Sequence, residues 1–198
     1  FEQLMREGAQ TPHLDHRVGM PLFSIEQEGL PPGMEINFEE CSTLSSALVL
    51  GCDLTAEFPL LWLRLKDALN RGGSLYFAGH YAPEIASFCK KMDLIAPGEE
   101  EAALEKQLQQ LSGKASIFIG SQYLNSPDRK RLLSVCLKYI KTHPGTSLNL
   151  LEGSGNSMGA RLAGMRPDFP DKPKGMNIIE VLEKAASSGW DLFYVAGA

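Results

Sequence analysis

The sequence predicts an α/β fold, a doubly wound and mostly parallel sheet with helices on both faces, and three observations carry that prediction. The apolar run at 47–50 has no alternation, as expected of a strand covered on both faces, and further strands are expected at 75–78 and 115–119. Each run is closed by a glycine, at Gly51, Gly79 and Gly120, where the chain can turn. Segments of helical period separate the runs, so strands alternate with crossover helices and the connections are right-handed.

The first 45 residues are irregular, because Pro12, Pro21, Pro31 and Pro32 break any long element, and only 1–7 has an amphipathic start. They form a docking arm on an α/β domain that occupies 46–198. The strand at 46–50 runs into Gly51-Cys52-Asp53. Asp53 and Thr55 can both cap a helix, Glu57 suits the positive end of its dipole, and Pro59 is tolerated in a first turn. Phe58, Leu61, Trp62, Leu65 and Leu69 then form the stripe of a helix reaching Asn70.

A strand at 75–78 ends at Gly79 and His80, and Pro83 opens a helix to about residue 91. A short strand follows at 94–96, a helix with three glutamates at its start at 99–111, and a strand at 115–119. The helix at 127–142 buries Leu132, Leu133, Cys136, Tyr139 and Ile140, with Asp128 and Lys141 complementing its dipole. A strand at 147–151, a glycine-rich stretch, a helix at 177–188 and a strand at 192–195 complete the order. A βα pattern that stops at a strand and a glycine is expected of a fragment, truncated at its C-terminus, of a larger subunit.

With 198 residues, 43% of them hydrophobic, the chain can bury a sizeable core. Its net charge of -5 opposes nucleic acid or anionic lipid as a partner. No run approaches the roughly 18–20 apolar residues that cross a bilayer, so a soluble protein is expected. Cys41, Cys52, Cys89 and Cys136 lack metal-site spacing and suit buried thiols in a reducing cytosol.

In open α/β sheets, ligands bind beyond the carboxyl ends of the strands. Here that edge carries the loops at 51–57, 79–81, 120–123 and 153–156, and the pocket candidates are Gly51, Asp53, Glu57, Gly79, His80, Gly120, Ser121, Gly153 and Asn156. The competing reading is that glycine simply ends strands there. The stretch GSGNSMG at 153–159 has G-x-G without the third glycine in place, and there is neither a P-loop nor a G-x-S-x-G elbow. Asp15, His16 and Arg17 are adjacent, which suits a solvated loop or a phosphate-facing arginine better than an acid–base set. Glu99, Glu100 and Glu101 suit a solvated first turn. No catalytic residue and no metal ligand is assigned.

The chain resembles the molybdopterin oxidoreductase family, and within it the C-terminal part of the large, 75 kDa-type iron–sulfur subunits of complex I, the NADH-quinone oxidoreductase. TPHLDHRV at 11–18 is similar to that family's Asp-centred segment, and ALVLGCDLTAEFPLLWLRLKDAL at 47–69 to its strand, Gly-x-Asp turn and acidic-x-Pro helix. NSMGARLAGMRP at 156–167 and LEKAASSGWDLFYVAGA at 182–198 resemble its later segments. The resemblance implies a Rossmann-like, molybdopterin-oxidoreductase-like fold.

In the family's molybdenum enzymes the resemblance implies a pterin guanine dinucleotide in these loops and a Cys, selenocysteine or Ser ligand soon after the Asp-centred segment. This chain offers only Met20 and Ser24 there, neither a good match. A vestigial pocket is therefore expected, in a scaffold domain of a respiratory complex with no cofactor in this fragment. Its partners would be other subunits of the peripheral arm of complex I, on the cytoplasmic side of a bacterial inner membrane or the matrix side of a mitochondrial one. Iron–sulfur clusters would lie in N-terminal domains that this chain lacks. The alternatives are a fragment of a true molybdopterin enzyme such as a formate dehydrogenase, and a stand-alone nucleotide-binding α/β domain.

Overall fold

The structure is a computed structural model that describes residues 1–16, 30, 31, 33–126, 128–152, 157–187 and 189–195. The chain divides into two compact units, one of residues 25–155 and one formed by 1–24 with 156–198.

The 25–155 unit holds five parallel strands: β1 (Ser46–Leu50), β2 (Ser74–Gly79), β3 (Lys91–Leu94), β4 (Ala115–Ile119) and β5 (Ser147–Leu150). Their order is β3-β2-β1-β4-β5, with every pair parallel. The doubly wound α/β expectation therefore holds, and the strand order reverses between β1 and β4.

The helices of this unit are α1 (Phe38–Cys41), α2 (Leu54–Glu57), α3 (Pro59–Asn70), α4 (Glu100–Leu108), α5 (Ser121–Leu124) and α6 (Arg129–Thr142). Alternate residues of β1 supply two cores. Ala47 and Val49 join Phe77 of β2 and Leu61, Trp62 and Leu65 of α3 in one cluster. Leu48 and Leu50 point the other way and are equally buried. On α4 and α6, which pack on each other, Leu104, Leu108, Leu132 and Leu133 are buried.

Four elements differ from the sequence reading. The helix expected to run unbroken to Asn70 is split at Phe58 (φ -138°, ψ 59°), because the residue before a proline is pushed out of the helical region. The helix after Pro83 is only a 3-10 segment, Glu84–Phe88. The following strand is Lys91–Leu94 rather than 94–96: it is the sheet edge and only half buried, so it lacks the apolar run that marks the central strands. Residues 192–195 form no strand, and Leu192, Phe193, Tyr194 and Val195 are exposed.

The outer edge of β5 is closed by residues 33–36. Asn149, fully buried, accepts the backbone N–H groups of Glu35 (2.9 Å) and Ile36 (3.2 Å) on Oδ1, while its Nδ2 donates to Ser116 Oγ (2.7 Å) and the Ile117 carbonyl (3.3 Å). The outward N–H groups of β5 are also satisfied, Leu148 by the Glu35 carboxylate (2.6 Å) and Leu150 by the Gly33 carbonyl (3.0 Å). That is how this edge avoids pairing with a foreign strand.

The other unit contains a single helical turn at Leu4–Gly8, α7 (Ser157–Leu162) and α8 (Ile178–Ser187). The segment around Asp15 is structural here, which corrects the solvated-loop reading. His16 Nδ1 donates to the Met165 carbonyl (2.6 Å), and Asp15 accepts the Ile178 N–H at the start of α8 (3.0 Å). His13 Nδ1 accepts from the Met176 N–H (3.0 Å). Arg17, Met20 and Ser24 lie outside the described residues. No helix among the described residues is long and apolar enough to cross a membrane.

Candidate functional site

The carboxyl ends of β1, β2 and β4 meet where the strand order reverses, and seven of the nine pocket candidates lie there. Gly153 and Asn156 fall outside the described residues. The three strand ends are tied by backbone bonds: Gly51 N–H to the Ala78 carbonyl (3.0 Å) and Gly120 N–H to the Leu50 carbonyl (2.8 Å).

Asp53 and Glu57 cap the first helix reciprocally. Asp53 Oδ1 accepts from the Thr55 N–H (2.9 Å) and hydroxyl (2.6 Å), while the Asp53 N–H donates to Glu57 Oε1 (2.8 Å). A third donor, the Glu84 N–H, reaches Asp53 Oδ2 (3.4 Å). Desolvation pushes the Asp53 carboxyl up, but these hydrogen bonds outweigh it and hold the group below its ordinary value. Ser121 Oγ donates to Glu57 Oε2 (3.3 Å), so three of the expected residues form one hydrogen-bonded set.

His80 belongs to a second set. Its Nδ1 donates to the Ile95 carbonyl (2.9 Å), and its Nε2 lies 3.5 Å from Glu100 Oε1. Glu100 is 8% exposed and accepts the Gly98 N–H (2.7 Å), so one member of the run 99–101 is a buried partner of His80 rather than part of a solvated turn. The ring of Tyr123 lies parallel to that of His80, with planes 6° apart and centroids 6.0 Å apart.

Tyr123 was not among the expected residues, and it decides what the crevice can hold. It is 3% exposed and sits against Gly51. Gly51 has φ +57°, and a Cβ placed there would fall among the Tyr123 ring carbons, 2.6 Å from Cε2, and 2.9 Å from Gln122 Oε1. At Gly120 a Cβ would lie 2.8 Å from both Cys52 Sγ and the Gly51 carbonyl oxygen. The glycines at the switch point are therefore closed over by protein, with the backbone of one strand end packed on the other. Gly79 is likewise backed by the Phe77 ring.

The charge around the crevice is negative. Burial raises the Cys52 thiol, and the Glu57 and Asp53 carboxylates raise it further. Burial and then Glu100 do the same to the Tyr123 phenol. A phosphate approaching this edge would meet Asp53, which already holds the N–H groups of the first turn, and Glu57 behind it. Among the described residues, the Tyr123 ring takes up the space beside Gly51, and the Asp53 and Glu57 carboxylates line the same edge, an arrangement that fits poorly with the phosphates of the pterin dinucleotide that the sequence resemblance implies for molybdenum enzymes. An apolar cavity of about 280 Å³ lies on the same unit, lined by Met34, Phe38, Phe58, Pro59, Leu60 and Leu61. Glu57 is the one ionisable side chain on its wall among the described residues.

No protein-family model matches the chain, and no curated protein matches it.

Proposed function

We propose that this chain is a scaffold domain of the large iron–sulfur subunit of an NADH-quinone oxidoreductase of the complex I type. In it, the sheet edge that binds a nucleotide in related folds is kept as structure and performs no chemistry. The single observation that carries the reading is Tyr123, buried in the crevice between β1 and β4 with no room left beside Gly51. The acidic set of Asp53, Glu57 and Glu100 adds support, since it repels the phosphates such a crevice would receive. The family half of the reading is supported by the order of the four sequence segments that resemble molybdopterin oxidoreductases. On this reading the domain contributes contacts to neighbouring subunits of the peripheral arm, at the cytoplasmic face of a bacterial inner membrane or its mitochondrial equivalent. Iron–sulfur clusters and electron transfer belong to other parts of the parent subunit. The strand order favours a nucleotide-binding domain as the second reading, because its switch point is where such ligands sit.

A tag on the chromosomal copy of the parent gene, followed on a native gel stained for NADH dehydrogenase activity, tests the proposal. Co-migration of the tag with the active band is expected. A tag that runs apart from every NADH-oxidising band overturns it.

A further inference from the structure

The apolar cavity of about 280 Å³ is walled by α1 and the start of α3, and its chemistry differs from that of the switch-point crevice. Leu61, 2% exposed, closes it from below, while Phe38 and Leu60 stand exposed on its sides. A concave apolar surface left open in this way marks a binding site. The charge beside it has one sign. Residues 34–41 and 53–61, which include all the described lining residues, carry Glu35, Glu39, Glu40, Asp53 and Glu57 and no lysine or arginine. Arg64, the next basic residue along α3, is ion-paired with Asp67 (3.6 Å). Glu57 lies on the wall itself and is held in place, since Oε1 accepts the Asp53 N–H and Oε2 the Ser121 hydroxyl. The ion pairs among the described residues use other acids, so no basic side chain there offsets the Glu57 carboxylate.

The volume sets the size of what fits. An apolar cavity of about 150 Å³ holds a benzene molecule, so this one has room for about a dozen heavy atoms. We propose that the cavity binds a small amphiphilic monocation, an apolar body of about that size carrying one ammonium group beside Glu57. The body supplies most of the affinity by covering Phe38, Phe58, Leu60 and Leu61, and the carboxylate selects the sign of the charge. An anion of the same shape would meet Glu57 with no basic residue on the wall to offset it. This inference holds whether or not the chain belongs to a respiratory complex.

The test is calorimetric titration of the wild-type chain at low salt with 4-phenylbutylamine, the neutral 4-phenylbutanol, the anionic 4-phenylbutyrate, and ethylamine, which has the charge without the body. The phenylbutylamine should bind saturably with Kd below about 1 mM. It should bind about threefold more tightly than the alcohol and about tenfold more tightly than the carboxylate, and ethylamine should not bind. The preference for the amine over the alcohol should fall toward unity as salt is raised, because Glu57 is exposed. Amide shifts on adding the amine should centre on Phe58, Leu60 and Leu61. Glu57→Gln keeps an acceptor for the Asp53 N–H and should bind amine and alcohol equally. No saturable binding of the amine, equal binding of amine and carboxylate, a preference for the amine retained in Glu57→Gln, or shifts centred elsewhere in the chain would each overturn the proposal. If Glu57→Gln fails to fold, the salt series on the wild type decides, and a preference that salt leaves unchanged overturns the proposal.

Discussion

Replacing Asn149 by Leu tests the reasoning about how residues 33–36 close the sheet edge. The substitution keeps the branch point and the number of side-chain heavy atoms while removing every polar atom beyond the backbone. It strands the Glu35 and Ile36 N–H groups, now held at 2.9 and 3.2 Å, and unmakes the bonds to Ser116 and Ile117 at 2.7 and 3.3 Å. A buried donor left without an acceptor costs about 1–3 kcal/mol. Glu35 is exposed, so water can rescue its N–H and its share falls at the low end. The expected loss is about 2–5 kcal/mol, or a melting temperature lower by roughly 4–20 °C at about 2–4 °C per kcal/mol for a chain of this size. Trp62 fluorescence in a Trp190→Phe background reports this unit alone, because Trp62 lies in its core and Trp190 in the other unit. Faster amide exchange at Leu148 and Leu150 should accompany the loss. A change below about 0.5 kcal/mol, the size of an ordinary surface substitution, with unaltered exchange would refute the claim that Asn149 pins the edge.

Gly51→Ala should destabilise the chain by more than about 2 kcal/mol, from a left-handed backbone conformation and a clash with Tyr123. In a double-mutant cycle Tyr123→Ala should relieve part of that loss, and strict additivity would contradict the contact. Gln107 is fully buried on α4 and neither side-chain polar atom has a partner, so Gln107→Leu should raise stability by about 1–2 kcal/mol in urea titrations; a fall would show that the amide is satisfied. Burial raises the thiols of Cys41 to about 11 and of Cys89 and Cys136 to about 12. A folded value above the unfolded one near 9 means that the folded chain keeps its protons longer. Stability is thus full below about pH 9 and lost as pH rises from about 9 to 12. A urea midpoint that climbs over that range would contradict the sign.

The strand β1 was legible because a strand covered on both faces is largely apolar, as at Ala47, Leu48, Val49 and Leu50. The edge strand Lys91–Leu94 was not, since one side of it meets solvent and Lys91 and Asp93 hide it in a polar stretch. The caps at Asp53 and Glu57 follow from local chemistry and were correctly placed at a helix start. The state of the crevice depends on a pairing that no local pattern reveals. Gly51 looked like a place for a ligand to approach, and the group that approaches it is Tyr123, brought in by α5, a helix too short to show a period. One signal was available: Tyr123 stands three positions past the strand-ending Gly120, close enough along the chain for its ring to cover that strand end. Asn149 offered another, because a polar side chain inside an apolar strand is retained where its hydrogen bonds are complete.

The central claim is that the switch-point edge holds structure in place of a cofactor. Its most direct test is the molybdenum, tungsten and pterin content of the intact parent subunit, purified from cells that make the pterin cofactor. The account predicts neither metal at stoichiometric level and no fluorescent pterin oxidation product after denaturation. Stoichiometric molybdenum or tungsten together with that fluorescence would contradict it.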